Sequence, residues 1–110
     1  RAIETTKLNA TAHNKLGMIY ATQGKIGLAK NEFKTAIEKI PQYAFPYINL
    51  ATLYQKENPQ KGIKILKMAI NNNPQNPSIY KKLSDIYKEK LGDTNSALKY
   101  LKIYKKLKEH

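Results

Sequence analysis

Three times along the chain the same spacing recurs: a ring-bearing side chain, a leucine three positions on, a small residue next to it, and a tyrosine three further. The copies read His13, Leu16, Gly17, Tyr20; then Tyr47, Leu50, Ala51, Tyr54; then Tyr80, Leu83, Ser84, Tyr87. Each is followed by a second apolar segment: Ala29, Phe33 and Ala36; Gly62, Leu66 and Ala69; Ala97 and Leu101. Positions i, i+3, i+4 and i+7 fall on one face of an α-helix, so each copy predicts two short helices with one apolar face apiece. A helix pair of this size cannot bury that face alone. It has to stack on neighbours, which restricts the chain to an all-α array of repeating units.

Local signals set the unit boundaries at 10–43, 44–76 and 77–110. In the first unit the leading helix is expected from Asn9 or Ala10 to Gln23, with Gly24 ending it in a left-handed cap. Gly17 sits inside that helix, at up to about 1 kcal/mol of helix stability relative to alanine. Ala51 and Ser84 hold the same place, so the shared demand is small size where two helices approach closely. The second helix is expected from Ile26 to Ile40, with Ile26, Ala29, Phe33, Ala36 and Ile37 on its inner face and Pro41 closing it. The next unit starts at Ala44, tolerates Pro46 in its first turn, and runs to about Glu57. Asn58-Pro59 then signals an N-cap followed by the first helical residue. The Asn71-Asn72-Asn73-Pro74 run breaks that helix. In the last unit Asp93 or Thr94 caps the final helix. There the expected small residue becomes Tyr104 and the closing proline becomes Glu109, which predicts a closed or differently covered C-terminal edge. Residues 1–9 read as the tail of a preceding unit, because Ala2, Ala36 and Ala69 keep one register. They are expected to form a short separate helix whose Ala2 and Ile3 cover the edge of the first unit.

This pattern resembles the tetratricopeptide repeat (TPR), with His13 standing where that family usually has tryptophan. The resemblance implies a right-handed superhelix of helix-turn-helix units, about six helices plus the short N-terminal one. It also implies that the leading helices line a concave groove in which extended peptides or partner helices dock.

Chemistry is not expected. There are no cysteines, so disulfides, thiolate metal sites and cysteine nucleophiles are excluded. His13 lies on the packing face and His110 is the last residue. No glycine-rich phosphate loop, nucleophile elbow or converging carboxylate and histidine cluster appears. An enzyme, a metal site, a cofactor and a small-molecule substrate are therefore not predicted. No apolar run is long enough to span a bilayer, and no signal-peptide pattern opens the chain. The cytoplasm is the compartment expected, although a chain that opens mid-pattern reads as an excised fragment whose targeting signals lie elsewhere.

The net charge of +12 raises nucleic acid as a partner. Its distribution opposes that reading: residues 1–43, 44–76 and 77–110 carry excesses of +4, +3 and +5, and every cation except Arg1 is lysine. Arginine is the residue for bidentate phosphate and base recognition. Lys99, Lys102, Lys105, Lys106 and Lys108 form one dense cationic run, read as a solvated face near a helix C-terminus. Nucleic-acid or anionic-surface binding through the lysine-rich face remains an alternative function, and self-association through the unfinished ends of the array another. A membrane partner is not expected.

If the repeated face packs, the other stripe of each leading helix is free to bind. It comprises Thr11, Asn14, Lys15, Met18, Ala21 and Thr22; then Phe45, Ile48, Asn49, Thr52, Gln55 and Lys56; then Ser78, Lys81, Lys82, Asp85, Lys88 and Glu89. The peptide-binding groove is accordingly placed on Asn14, Lys15, Met18, Phe45, Ile48, Asn49, Thr52, Lys81, Lys82 and Asp85. Apolar Met18, Phe45 and Ile48 beside lysines suit a protein or peptide partner with a hydrophobic anchor and acidic flanks. Some TPR co-chaperones clamp a C-terminal carboxylate with Lys, Asn, Asn, Lys and Arg. Here only Asn49 and Lys82 (a lysine for the arginine) match, while Asn14, Met18 and Ser78 replace the others, so a full clamp is not expected. Phe45 and Asn49 are expected to serve binding and to contribute little to stability.

Overall fold

The computed structural model describes residues 2–109, with side chains from residue 4 onward. They form six helices and no strand: α1 (Ala2–Thr22), α2 (Ile26–Lys39), α3 (Ala44–Tyr54), α4 (Pro59–Asn72), α5 (Pro77–Leu91) and α6 (Thr94–Lys108). None of the described helices is long and apolar enough to cross a membrane. The turns fall where the sequence places them. Gly24 and Gly92 take the left-handed conformation, at φ of 77° and 63°. Asn58 Oδ1 accepts the Lys61 amide at 3.2 Å with Pro59 as the first residue of α4. Asp93 accepts from both the amide and the hydroxyl of Ser96 at the start of α6.

Helices pair as α1 with α2, α3 with α4, and α5 with α6, and each pair stacks on the next through α2 on α3 and α4 on α5. The overall extents are 42 × 34 × 18 Å, and the 18 Å dimension is that of two helix layers. The leading helices α1, α3 and α5 touch one another in sequence, whereas α2, α4 and α6 make no such contacts. One layer is closed and the other is splayed, so the array curves with α1, α3 and α5 on its inner side.

The small residues sit where backbones meet. A Cβ on Gly17 would lie 2.6 Å from Phe33 Cε1, and one on Gly62 would lie 3.2 Å from the Ala51 carbonyl oxygen. In the third pair the Ser84 hydroxyl uses its closeness to donate to the Ala97 carbonyl at 2.8 Å. The leading tyrosines tie each unit to the turn before it: Tyr47 donates to the Pro41 carbonyl at 2.9 Å and Tyr80 to that of Pro74 at 2.8 Å. Burial holds both phenols above the ordinary tyrosine range.

Several expectations change. Residues 2–9 are not a separate helix but the opening turns of α1, because neither proline nor glycine interrupts the chain before Gly17. The edge-covering role expected of Ala2 and Ile3 falls on side chains outside those described. His13 is not core: half-buried, its Nδ1 pairs with Glu32 Oε1 at 2.7 Å, tying α1 to α2. Leu16 is 36% exposed although its equivalents Leu50 and Leu83 are 4% and 0%. Those two are covered by α2 and α4, and among the described residues no helix lies on that face of α1. Ile26 is likewise exposed, and α3 ends at Tyr54, short of Glu57.

Candidate functional site: the inner face of the array

The inner face collects the stripes of α1, α3 and α5, and it falls into two chemically different parts. At the junction of α1 and α3, Phe45 and Met18 stand 50% and 48% exposed. Phe45 is held by Tyr43, whose ring meets it edge-on at 6.3 Å between centroids. Beneath them lies an amide pair: Asn49 Nδ2 donates to Asn14 Oδ1 at 3.0 Å, and Asn14 Nδ2 reaches the Tyr43 hydroxyl at 3.5 Å and Met18 Sδ at 3.9 Å. Asn14 is only 5% exposed. Lys15 and Thr52 are exposed, and Ile48 and Asn49 are half-buried. A pocket of about 250 Å³ opens next to this cluster, lined by Ala10, Thr11, Ile40 and Tyr43 with Lys7 and Gln42 at its edge.

The second part is on α5. Lys81 Nζ bonds Asp85 Oδ1 at 2.8 Å, an i, i+4 pair that raises the Lys81 pKa. Lys82 is half-buried, and desolvation lowers its pKa against the opposing pull of Asp85 and Glu89. The cationic end expected from sequence is thus partly neutralised by its own carboxylates. The structure thus links Asn14, Met18 and Asn49 directly, and Phe45 through Tyr43, while among the described residues no hydrogen bond joins Lys81, Lys82 or Asp85 to α3.

Two expectations need correction here. Asn14 does not lie free on the stripe, because it is buried under Asn49 and Tyr43. Asn49 for the same reason is not a residue reserved for binding: it satisfies a buried partner, and its loss leaves the Asn14 carbonyl unpaired at about 1–3 kcal/mol. Tyr43 lies outside the stripes that periodicity defines, yet joins Asn14 and Phe45. The aromatic pair at Tyr43 and Phe45, beside the Pro41-Gln42 turn, is the sequence signal that marks it. On α6 the lysines 99, 102, 105, 106 and 108 are all exposed, with Lys99 and Lys108 over the rings of Tyr100 and Tyr104. No group of three or more His, Asp or Glu among the described residues is placed to hold a metal ion.

Helix pairs stacked into a curved two-layer array, with small residues at each crossing and a solvent-facing inner stripe, define a helical repeat protein of the interaction type. Residues 10–43 match the family model of the tetratricopeptide repeat, and the two helix pairs that follow repeat the architecture of that segment. A comparison with curated proteins finds no match. The tetratricopeptide repeat is in general a non-catalytic module for protein–protein interaction.

Proposed function

We propose that this chain is an interaction scaffold that holds an extended peptide or partner helix along the inner face of α1, α3 and α5. The observation that carries the reading is the exposed pair Phe45 and Met18, which rests on a buried amide network. Exposed apolar side chains on the inner face give a partner's apolar residue a surface to cover. The amide network fixes the positions of Phe45 and Met18 before binding, which limits the ordering entropy lost on association. The partner's apolar anchor would sit against Phe45 and Tyr43. Lys7 at the edge of the adjoining pocket and Lys15 on α1 favour acidic residues beside the anchor. The α5 cluster adds a weaker cationic contact, since Asp85 already occupies Lys81.

A peptide selected from a random library for binding to this chain should carry an apolar residue flanked by carboxylates. Phe45→Ala should weaken its binding about tenfold, as expected for truncating an apolar contact at the centre of an interface. The thermal midpoint should barely move, because Phe45 is half-exposed. Asn49→Ala should lower both affinity and stability, and serves as the contrast. Unchanged affinity in Phe45→Ala, measured by calorimetric titration, would remove the inner face from the binding surface.

A further inference from the structure

The splayed outer layer leaves a second opening, of about 330 Å³, between α2 and α4. Its floor is Tyr47, Leu50 and Tyr54 of α3, and its walls are Ile37 of α2 with Ile65 and Met68 of α4. The repeat itself shows what such an opening is shaped to hold. In the next unit Tyr80, Leu83 and Tyr87 form the same floor, and Tyr100 occupies the register of Ile65. There the Tyr100 ring stacks on Tyr87 at 5.7 Å with an interplanar angle of 8°, and on Tyr80 at 6.4 Å and 24°. The slot between the two floor tyrosines is filled by an aromatic ring in one unit. With isoleucine in that register it stands open in the other.

The rim is cationic. Lys34 and Lys61 line it, and Lys30 Nζ sits 4.2 Å from the Tyr54 centroid, with Lys61 Nζ 5.4 Å from the same ring. Glu38 is the one carboxylate among the lining residues. Neither Lys34 nor Lys61 is in an ion pair among the described residues. Three ammonium groups beside one carboxylate leave a positive field over an apolar, ring-shaped slot.

We propose that this outer-face pocket is a second docking site, distinct from the inner groove, which takes an aromatic side chain of a partner protein flanked by acidic residues. The incoming ring takes the place that Tyr100 holds in the last unit, and the flanking carboxylates meet Lys34 and Lys61. Offset stacking between aromatic rings favours this occupant over an aliphatic one, and the charge-assisted contacts at the rim favour acidic residues beside it.

The test uses the whole chain, ¹⁵N-labelled, titrated with a capped pentapeptide carrying phenylalanine at its centre and two glutamates on each side. A second pentapeptide with alanine at the centre is the control. The phenylalanine peptide should shift the amides of Ile37, Ile65 and Met68, and the alanine peptide should not. Ile65→Tyr fills the slot as the last unit does and should abolish the shifts. Lys34→Glu combined with Lys61→Glu changes only the rim and should weaken binding several-fold, which keeps the test available if the tyrosine variant folds poorly. Equal shifts from both peptides, undiminished binding in both variants, or no shift at millimolar peptide would overturn the proposal. Shifts confined to Met18, Phe45 and Thr52 would also overturn it, while supporting the inner groove as the single binding face.

Discussion

Phe33→Ala should lower the unfolding free energy by about 3–5 kcal/mol, the range for emptying a large aromatic site in a core. The ring is 1% exposed and lies against the bare Cα of Gly17, at the closest approach of α1 and α2. That geometry fixes the magnitude. A cavity costs least where neighbours can collapse into it, and here the wall opposite the ring is a glycine with no side chain to move. A chain of this size holds about 5–15 kcal/mol in total, so the variant should be largely unfolded at moderate urea where the parent is folded. Urea titration followed by far-ultraviolet circular dichroism measures it. A loss below about 1 kcal/mol would mean that the α1–α2 crossing is not packed on Phe33.

Leu66→Ala should cost about 2–5 kcal/mol, while Leu101→Ala, at the same place in the last unit, should cost about 1–2 kcal/mol. Leu66 is fully buried because α4 is covered by both α3 and α5. Leu101 is half-buried because, among the described residues, α6 packs on α5 alone. The sequence position is shared, so the difference measures the neighbours. In a stacked array stability is nearly a sum of unit and interface contributions, so weakening the central unit removes two interfaces at once. Leu66→Ala should therefore also broaden the unfolding transition, as the end units lose their coupling. Equal losses at the two positions would contradict the stacked arrangement.

The repeat makes most of this fold legible in the sequence. Short-range chemistry was sufficient for the caps at Asn58 and Asp93, the left-handed turns at Gly24 and Gly92, and the close approach at Gly17, because each is decided within a few residues. The length of α1 has a related cause. The register of Ala2 with Ala36 points to a repeat boundary, but no helix breaker enforces one. What lay beyond reach depends on which helices lie side by side. The Asn14–Asn49 bond joins residues in different units across the inner layer, and periodicity places both on a stripe without saying that they meet. Leu16 reads like Leu50 and Leu83, yet is exposed for want of a covering helix. The outer pocket exists because Ile65 stands in the register of Tyr100, a difference that is visible in sequence but acquires meaning only when the tyrosine stack is seen.

The central claim is that the inner face of α1, α3 and α5 holds the partner. A photo-crosslinking residue placed singly at Met18, Phe45 or Thr52, and in parallel at the exposed Asn95 of α6, reads this directly when each variant is irradiated with a library-selected peptide. The account predicts crosslinks from the three inner positions and none from Asn95. Capture from the Asn95 position with silence at Phe45 would contradict it.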